Sequence, residues 1–571
     1  MRVASLLLVL ALAKVAVLAG HHLPLSWWSP IAYLWQDALV VLLFAIVELL
    51  IGARRPVAWA IYAVLALYVA INVPVGRVLS TPLTWSMWGA ARGALADSIW
   101  HDVTWPNVLW LTAVLIVAAL APFFLRRAPR NSLIATLALM VGLGPSAAAR
   151  VDTLGLERNA WTALIGTAVP RLGSRVAAGG WHATGFDRSR YEDLSRFRAA
   201  AAGRNIVLVS LESTAAQYLG LYGADPDVMP NLSELGRAGI TFENAYAVYP
   251  ESIKGLFSIL CSTYPAFDSP TELYARVPCR SIAAILSDSG YRTALFHSGR
   301  FMYLGMDQVV RDRGYGLLAD AGDIGGNRNS SFGIDEPSTV SRILAWVDGL
   351  PEGQPFFATY LPIAGHHPYE TPEPGPFPDR DEFGRYRNAL HYGDASLGTL
   401  VHGLQARGLD RKTLWIVLGD HGEAFGQHEG NYGHTFFLYD ENIHVPFLVA
   451  APGIVSRPIR SRQVVSLIDA APTLLDLAGL PIPKVYQGTS VLETAPRMAL
   501  FFADYSLGLL GLRDGPLKFI DEVESGRSKL FDLAEDPHET MDRRDRYGEQ
   551  ARWYRQDLRS WAASQKRLLG Q

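Results

Sequence analysis

Five apolar segments crowd the start of the chain, at residues 3–19, 31–52, 57–75, 108–125 and 132–148. Most are long enough to cross a hydrocarbon core of about 30 Å. Inside a bilayer the backbone must satisfy its own hydrogen bonds, so each segment is expected to form a helix. The first also fits a cleaved signal peptide. Further hydrophobic segments follow it closely, which favours a retained helix. Mean hydropathy is positive, at +0.14, and the excess sits almost entirely in this region. The rest of the 571 residues reads as globular sequence and is ample for a large second unit. The expected division is a five-helix transmembrane bundle over residues 1–150, a juxtamembrane linker over 151–200, and a domain with a C-terminal subdomain over 201–571.

Positive charge orients the bundle. Arg2 precedes the first segment, Ala53-Arg54-Arg55-Pro56 forms the second connector, and Arg126-Arg127-Ala128-Pro129-Arg130 the fourth. The first connector, HHLPLSWWSP, has no Lys or Arg, and the long third one has few. Basic connectors stay in the cytoplasm, so five crossings with the N-terminus inside place everything after residue 150 outside. The third connector carries Trp85, Trp88, Trp100 and Trp105, which suit either a short helix at the outer interface or a plain external loop. Lys14, Asp37 and Glu48 are costly against lipid. Lys14 is expected to snorkel or to pair within the bundle, and Glu48 to lie near a membrane end. A substrate or proton path is the alternative. Net charge is only −3, which argues against nucleic acid as the main partner. Cys261 and Cys279 fall on the oxidising side, so a disulfide is permitted, though spacing alone does not establish it. Cys261 sits in FSILCS, read as the buried side of a helix, and is not a nucleophile candidate.

After residue 200 the pattern changes to strands alternating with helices. NIVLVSLEST reads as a strand ending in an acid, and NLSELGRA as a short helix. SIAAILSDSGYRTALFHSG runs helix, glycine, strand, and SRILAWVDGLPEGQPFFATYLPIAGHHPY repeats that order. TLWIVLGDHGE and HVPFLVAAPG add two strands. Such alternation implies an α/β domain with a largely parallel sheet. Ligands in such sheets lie beyond the strand ends, near a change in strand order. Glu212, His366, Asp420 and His421 all fall just past such ends.

These residue types suit a metal. Asp420 and His421 offer two ligands from one turn, and Glu212 adds a carboxylate from another strand. Three ligands leave room for a substrate or nucleophile. Each has a plainer reading alone: an Asp after a strand caps a turn, a His there faces solvent, and Glu212 caps a following helix. Ser252 is the nucleophile candidate, before a helical run at 253–260. A serine at a helix N-terminus gains from backbone N–H groups that stabilise an anion. Metal contact lowers the hydroxyl pKa further. The plainer reading is a simple N-cap.

Together these segments resemble the sulfatase-like branch of the alkaline phosphatase superfamily, and in architecture the membrane-anchored lipoteichoic acid synthases. LVSLES resembles the first metal-binding strand and brings Glu212. SIKGLFSILCSTYP resembles the nucleophile segment, with Ser252 in the nucleophile position. AGHHPY resembles the substrate-side histidine motif, with His366 the better fit and His367 its neighbour. LGDHGEAFGQHEG resembles the metal motif, with Asp420 and His421. In GHTFFLYDENIHVPFLVAAPG, His434 takes the place of the lysine found in sulfatases. LIDAAPTLLDLAGLPIP and KLFDLAEDPHET resemble closing segments of sulfatases, and the likeness spans roughly residues 204–540. There are departures. Sulfatases need C/S-x-P-x-R for conversion to formylglycine, whereas this chain has Ser252-Ile253-Lys254-Gly255-Leu256. The first strand offers one acid, not a pair. FHSGRFMYLGMD lacks the Trp that lipoteichoic acid synthases carry there, which argues against carrying over glycerol phosphate specificity.

The resemblance implies one divalent metal (Mn, Zn or Mg) held by Glu212, Asp420, His421 and Ser252, with Ser252 also the nucleophile. His366, His434 and Arg300 would steady the phosphate or protonate the leaving alcohol. It implies transfer of a phospholipid headgroup, of phosphoglycerol or phosphoethanolamine type, to an envelope glycan or lipid through a phosphoserine. The partners are then the membrane, a phospholipid donor and the acceptor, in the bacterial cytoplasmic membrane with the site on its outer side. One alternative is a hydrolase, either a phosphodiesterase or a sulfatase, with water as acceptor. The other is an inactive domain that binds glycan or lipid.

Overall fold

The computed structural model describes residues 2–23, 25–51, 55–90, 103–125, 130–172, 180–183, 185–189, 191–330 and 332–570. The five apolar segments are helical, as Arg2–Leu18, Ser29–Ile51, Arg55–Leu79, Trp105–Phe124 and Arg130–Ala148. Four are long and apolar enough to cross a membrane. The first has 17 residues, and its Val9, Leu10 and Ala13 are buried with Val41, Phe44 and Val69 of its neighbours. A Cβ on Gly144 would sit 2.6 Å from the Trp35 ring, so the second and fifth helices approach closely only because Gly144 has none. Lys14 pairs rather than snorkels. Its Nζ donates to the Leu156 and Arg158 carbonyls, each at 2.9 Å, and lies 3.5 Å from Asp37 Oδ2. Glu48 accepts from Arg2 Nε at 2.5 Å, near the helix ends. In the third connector, Trp85–Ala90 is a short helix. Trp100 and most of the basic connectors lie outside the described residues.

Eight strands form the central sheet: β1 (Asn205–Leu211), β2 (Gly239–Tyr246), β3 (Arg292–His297), β4 (Leu317–Ala319), β7 (Phe356–Leu361), β8 (Thr413–Gly419), β11 (Phe447–Ala450) and β12 (Ile459–Ser466). Small pairs lie outside it: β5 (Arg328–Ser330) with β6 (Gly333–Ile334), and β9 (Ala424–Phe425) with β10 (Tyr432–Gly433). The order is β12-β2-β11-β8-β1-β7-β3-β4. β11 alone runs against the rest. β1 is buried on both faces: Ile206 and Leu208 enter one core, Val207, Val209 and Leu211 the other. That is why its sequence reads as a continuous apolar run. β1 lies between β7 and β8, both parallel to it. The chain leaves β1 toward β2 on one side and later returns to β3, β4 and β7 on the other, which opens a crevice at the carboxyl edge.

A second sheet, β13 (Met498–Ala503), β14 (Leu509–Asp514), β15 (Leu517–Glu522) and β16 (Ser528–Asp532), is antiparallel and packs under the C-terminal helix Gly548–Leu568. The stretch after residue 150 is wedged between the apolar helices and this sheet. Asn159 Nδ2 donates to Asp37 Oδ1 at 2.6 Å on one side. On the other, Lys529 pairs with Asp152 at 2.7 Å and Arg527 donates to the Val151 carbonyl at 2.9 Å. Cys261 and Cys279 form a disulfide with Cα atoms 5.7 Å apart.

Candidate active site

Register builds the centre of the site. β1 and β8 are paired so that Leu211 faces Gly419. The next residue on each strand is an acid, so Glu212 and Asp420 emerge side by side. Asp420 Oδ1 accepts from the Ser213 amide at 3.0 Å and the His421 amide at 2.7 Å, which secures the turn. His421 Nδ1 lies 3.0 Å from the Gly422 carbonyl. That bond makes Nδ1 the protonated nitrogen and turns the Nε2 lone pair inward. Nε2 is 3.5 Å from Glu212 Oε1 and 3.6 Å from Asp420 Oδ2. Ser252, from the helix Ser252–Cys261, reaches the same point. Its Oγ donates to Glu212 Oε2 at 2.9 Å and lies 3.3 Å from His421 Nε2.

The donor set fits a divalent metal. One ligand atom each from Glu212, Asp420 and His421 lies within 4.8 Å of the others, and all three residues are buried. Burial and the Glu212 charge push the Asp420 carboxyl up to about 7. Burial acts on Glu212 in the same direction, but the His421, His366 and His434 imidazoles outweigh it and hold that carboxyl below its ordinary range. A divalent cation relieves such crowding of negative charge, and two carboxylate oxygens with one imidazole suit Mn, Zn or Mg.

His434 lines the other side. Its ring stacks 4.2 Å from that of His421 and stands 6.5 Å from that of His366. Its Nδ1 is 2.8 Å from Glu423 Oε2, and Tyr369 donates its hydroxyl to Glu423 Oε1 at 2.8 Å. Burial alone would lower the imidazole. The charge and hydrogen bond of Glu423, with Glu212 and Asp420 behind it, raise its pKa to about 9. Burial wins at His366 and lowers its pKa against the pull of Glu212. Two histidines therefore face one pocket with their pKa values pushed apart, His434 up and His366 down. Gly365 allows this approach, since a Cβ there would lie 2.2 Å from the Glu212 carbonyl oxygen.

Two expectations need correction. Ser252 is not the N-cap. Glu251 takes that role, and its carboxylate accepts from the Ile253 and Lys254 amides at 3.3 and 3.5 Å. Those amides are committed to Glu251, so Ser252 draws on Glu212 and His421 instead. Arg300 is exposed, with its guanidinium against Gly322; among the expected site residues it alone is left at the surface. Two more residues belong beside these. Glu423, in LGDHGE, holds the His434 ring. His297 ends β3, buried, its Nδ1 3.1 Å from the Leu361 carbonyl. Burial lowers its pKa against the hydrogen bond to Leu361 and the Glu212 charge. Its signal was the histidine closing ALFHSG, at a strand end like the others.

The sulfatase family model matches residues 204–480. This segment is a sulfatase-family domain of the alkaline phosphatase superfamily. Its likeness extends to a lipoteichoic acid synthase-like protein of Bacillus subtilis, YvgJ, at 24% identity over 307 residues, 50% of this chain and 49% of that one. The chain thus spans about half the length of that relative. Arylsulfatase K of Bos taurus is 32% identical over 165 residues, 26% of this chain and 30% of the relative. The crystal structure of the lipoteichoic acid synthase LtaP from Listeria monocytogenes shares the fold, with a TM-score of 0.52 at 18% identity, covering 66% of this chain and 94% of that one. In this sulfatase-family domain the segment Ser252-Ile253-Lys254-Gly255-Leu256 lacks the Pro and Arg of the formylglycine context.

Proposed function

We propose that this chain is a metal-dependent phosphoester-cleaving enzyme of the cell envelope, working through a covalent phosphoserine at Ser252, with water as the final acceptor. The observation that carries this is the seat of Ser252 Oγ, 2.9 Å from Glu212 Oε2 and 3.3 Å from His421 Nε2, within a cluster suited to a metal. Glu212, Asp420 and His421, with Ser252 as fourth ligand, would hold one divalent ion. When bound, such an ion neutralises phosphoryl oxygens and lowers the hydroxyl pKa. The Ser252 proton leaves along its hydrogen bond to Glu212 as Oγ attacks phosphorus. The Oγ–P bond forms and the bond to the leaving alcohol breaks. His434, kept protonated by Glu423, donates a proton to the leaving oxygen. In the second half neutral His366 takes a proton from water as the water oxygen bonds to phosphorus, the Oγ–P bond breaks, and the proton held by Glu212 returns to Ser252 Oγ along the same hydrogen bond.

The likeness to sulfatases, arylsulfatase K included, favours water as acceptor. A second reading is transfer of a phospholipid headgroup, of phosphoglycerol or phosphoethanolamine type, to an envelope glycan or lipid. The likeness to the lipoteichoic acid synthase-like relative and the apolar helices favour it, since a bundle over residues 1–150 would keep a domain over 201–571 beside a lipid donor. The disulfide suits the oxidising side of the cytoplasmic membrane.

The test is intact and peptide mass spectrometry of the full chain after exposure to phospholipid vesicles. A headgroup phosphate is expected on Ser252, and Ser252→Ala is expected to abolish it and lower turnover by about 10³-fold or more. Headgroup phosphate released without an added acceptor supports hydrolysis; release that waits for a glycan supports transfer. Formylglycine at position 252 would sink the phosphoserine reading and make the chain a sulfatase.

A further inference from the structure

The hairpin that carries His434 is held from two sides. β9 and β10 pair antiparallel, and residues 426–431 close the turn between them. Within the domain, His428 Nδ1 lies 2.7 Å from Glu441 Oε1, and Asn431 Nδ2 donates to Glu441 Oε1 and Asn442 Oδ1, each at 2.7 Å. Asn442 Nδ2 in turn donates to the Gly433 carbonyl at 3.2 Å. The other side is supplied by the apolar-helix region. His21 follows the first helix by a few residues, and its Nδ1 is 2.7 Å from Glu429 Oε1. The contact is sheltered, with the His21 side chain 10% and the Glu429 side chain 29% exposed. Next to it Gly430, at φ +75°, leaves room for Ser80 at the end of the third helix: a Cβ there would lie 3.3 Å from Ser80 Cβ.

We propose that His21 is a positioning residue for the site, acting through Glu429 on the hairpin that ends at His434. This deepens the reading of His434 as proton donor and rests on it. A charge-assisted bond in a sheltered place is stronger and better directed than a surface pair. Glu429 and His434 are five residues apart on one short hairpin, clamped at its base by Asn442 and at its tip by His21. Releasing the tip lets the His434 ring leave its stack on His421, and small misplacements of a catalytic group are costly in rate. The apolar-helix region is then part of the catalytic apparatus, completing it with a side chain that the sulfatase-family domain lacks.

The experiment uses the full chain in detergent micelles with Mn²⁺ and bis(4-nitrophenyl) phosphate, a soluble probe that needs no delivery from a membrane. His21→Ala and Glu429→Gln are each expected to lower kcat by about 10-fold, with KM and bound Mn²⁺ unchanged. The double variant is expected to be no slower than either single one. His21→Asn, whose side-chain nitrogen takes the place of Nδ1, is expected to restore most of the rate. Amide hydrogen exchange over residues 426–434, measured on the same samples, is expected to quicken in His21→Ala. Unchanged exchange overturns the proposal whatever the kinetics, and so does an unchanged kcat in an active enzyme. A wild-type chain that never turns over the probe counts against the functional reading instead, and the exchange measurement still decides whether His21 holds the hairpin.

Discussion

Asp420 shows how much one side chain does at this centre. Its Oδ1 is spent on two backbone amides, and its Oδ2 faces His421. Backbone support and the proposed metal contact therefore use different atoms of one carboxylate. In Asp420→Asn the amide oxygen still accepts from both backbone groups, while the charge is lost. The variant is expected to fold with an unchanged thermal midpoint and to bind less metal, measured as metal per chain after purification. Glu212→Gln should behave alike. Full stoichiometry in both variants would remove these residues from the metal site.

At the scale of elements, the helix that presents Ser252 is anchored two residues beyond it. Lys254 Nζ lies 3.0 Å from Asp504 Oδ2 at the end of β13 and 4.4 Å from the Tyr249 ring, and both charged groups are buried. Burial would raise the Asp504 carboxyl, but Lys254 and Arg171 outweigh it and keep the group ionised. Lys254→Met fills the space but removes the cation in contact with Asp504, leaving it Arg171 nearby and the Tyr249 and Asp268 hydrogen bonds; breaking such a buried pair typically costs about 3–5 kcal/mol. A fall in thermal midpoint with weaker turnover is the expected outcome, and an unchanged midpoint would show that Tyr249 and the Asp268 amide suffice for Asp504. The C-terminal helix carries a pH-dependent counterpart. Burial raises the Asp557 carboxyl to about 6 against the His182 amide that donates to it. From the unfolded value near 4 up to the folded value near 6 the native chain holds the extra proton, so stability falls as pH rises through that window. Asp557→Asn keeps an acceptor for the amide. It is expected to raise the thermal midpoint at pH 7, through a gain in stability of about 2–3 kcal/mol at most, and to leave it unchanged at pH 4.

Across the whole molecule, the N-terminal region of apolar helices and the following stretch dock onto the chain's C-terminal part rather than being tethered to it. Thr84 donates to the Tyr505 carbonyl at 2.7 Å, Met87 enters the domain core, and Arg171 donates to the Ser506 carbonyl at 2.9 Å. Trp27, Trp85 and Trp105 remain 99%, 61% and 80% exposed at the helix ends that the positive-charge pattern places outside, which suits a headgroup layer. A reporter fused after residue 160 is expected to be active only outside the cytoplasm. Activity inside would invert the orientation and separate the site from an outer-leaflet substrate.

Local pattern was enough for much of this. Apolar runs marked the helices, and apolar strands ending in Glu212 and in Asp420-His421 marked one edge of a sheet, because burial and strand ends are written in neighbouring residues. The meeting of those residues was not local. It depends on β1 and β8 pairing with Leu211 opposite Gly419, and on a helix whose Ser252 lies forty residues from Glu212. Nor could local sequence choose between Glu251 and Ser252 as the cap, since adjacent residues competed for the same amides and packing settled it in favour of the longer side chain. His297 ends β3 and Arg300 follows three residues later, yet one is buried against the Leu361 carbonyl and the other faces water. His21 and Glu429 are separated by 408 positions. Such pairings arise when separately patterned surfaces dock, and their partners' positions appear only in three dimensions.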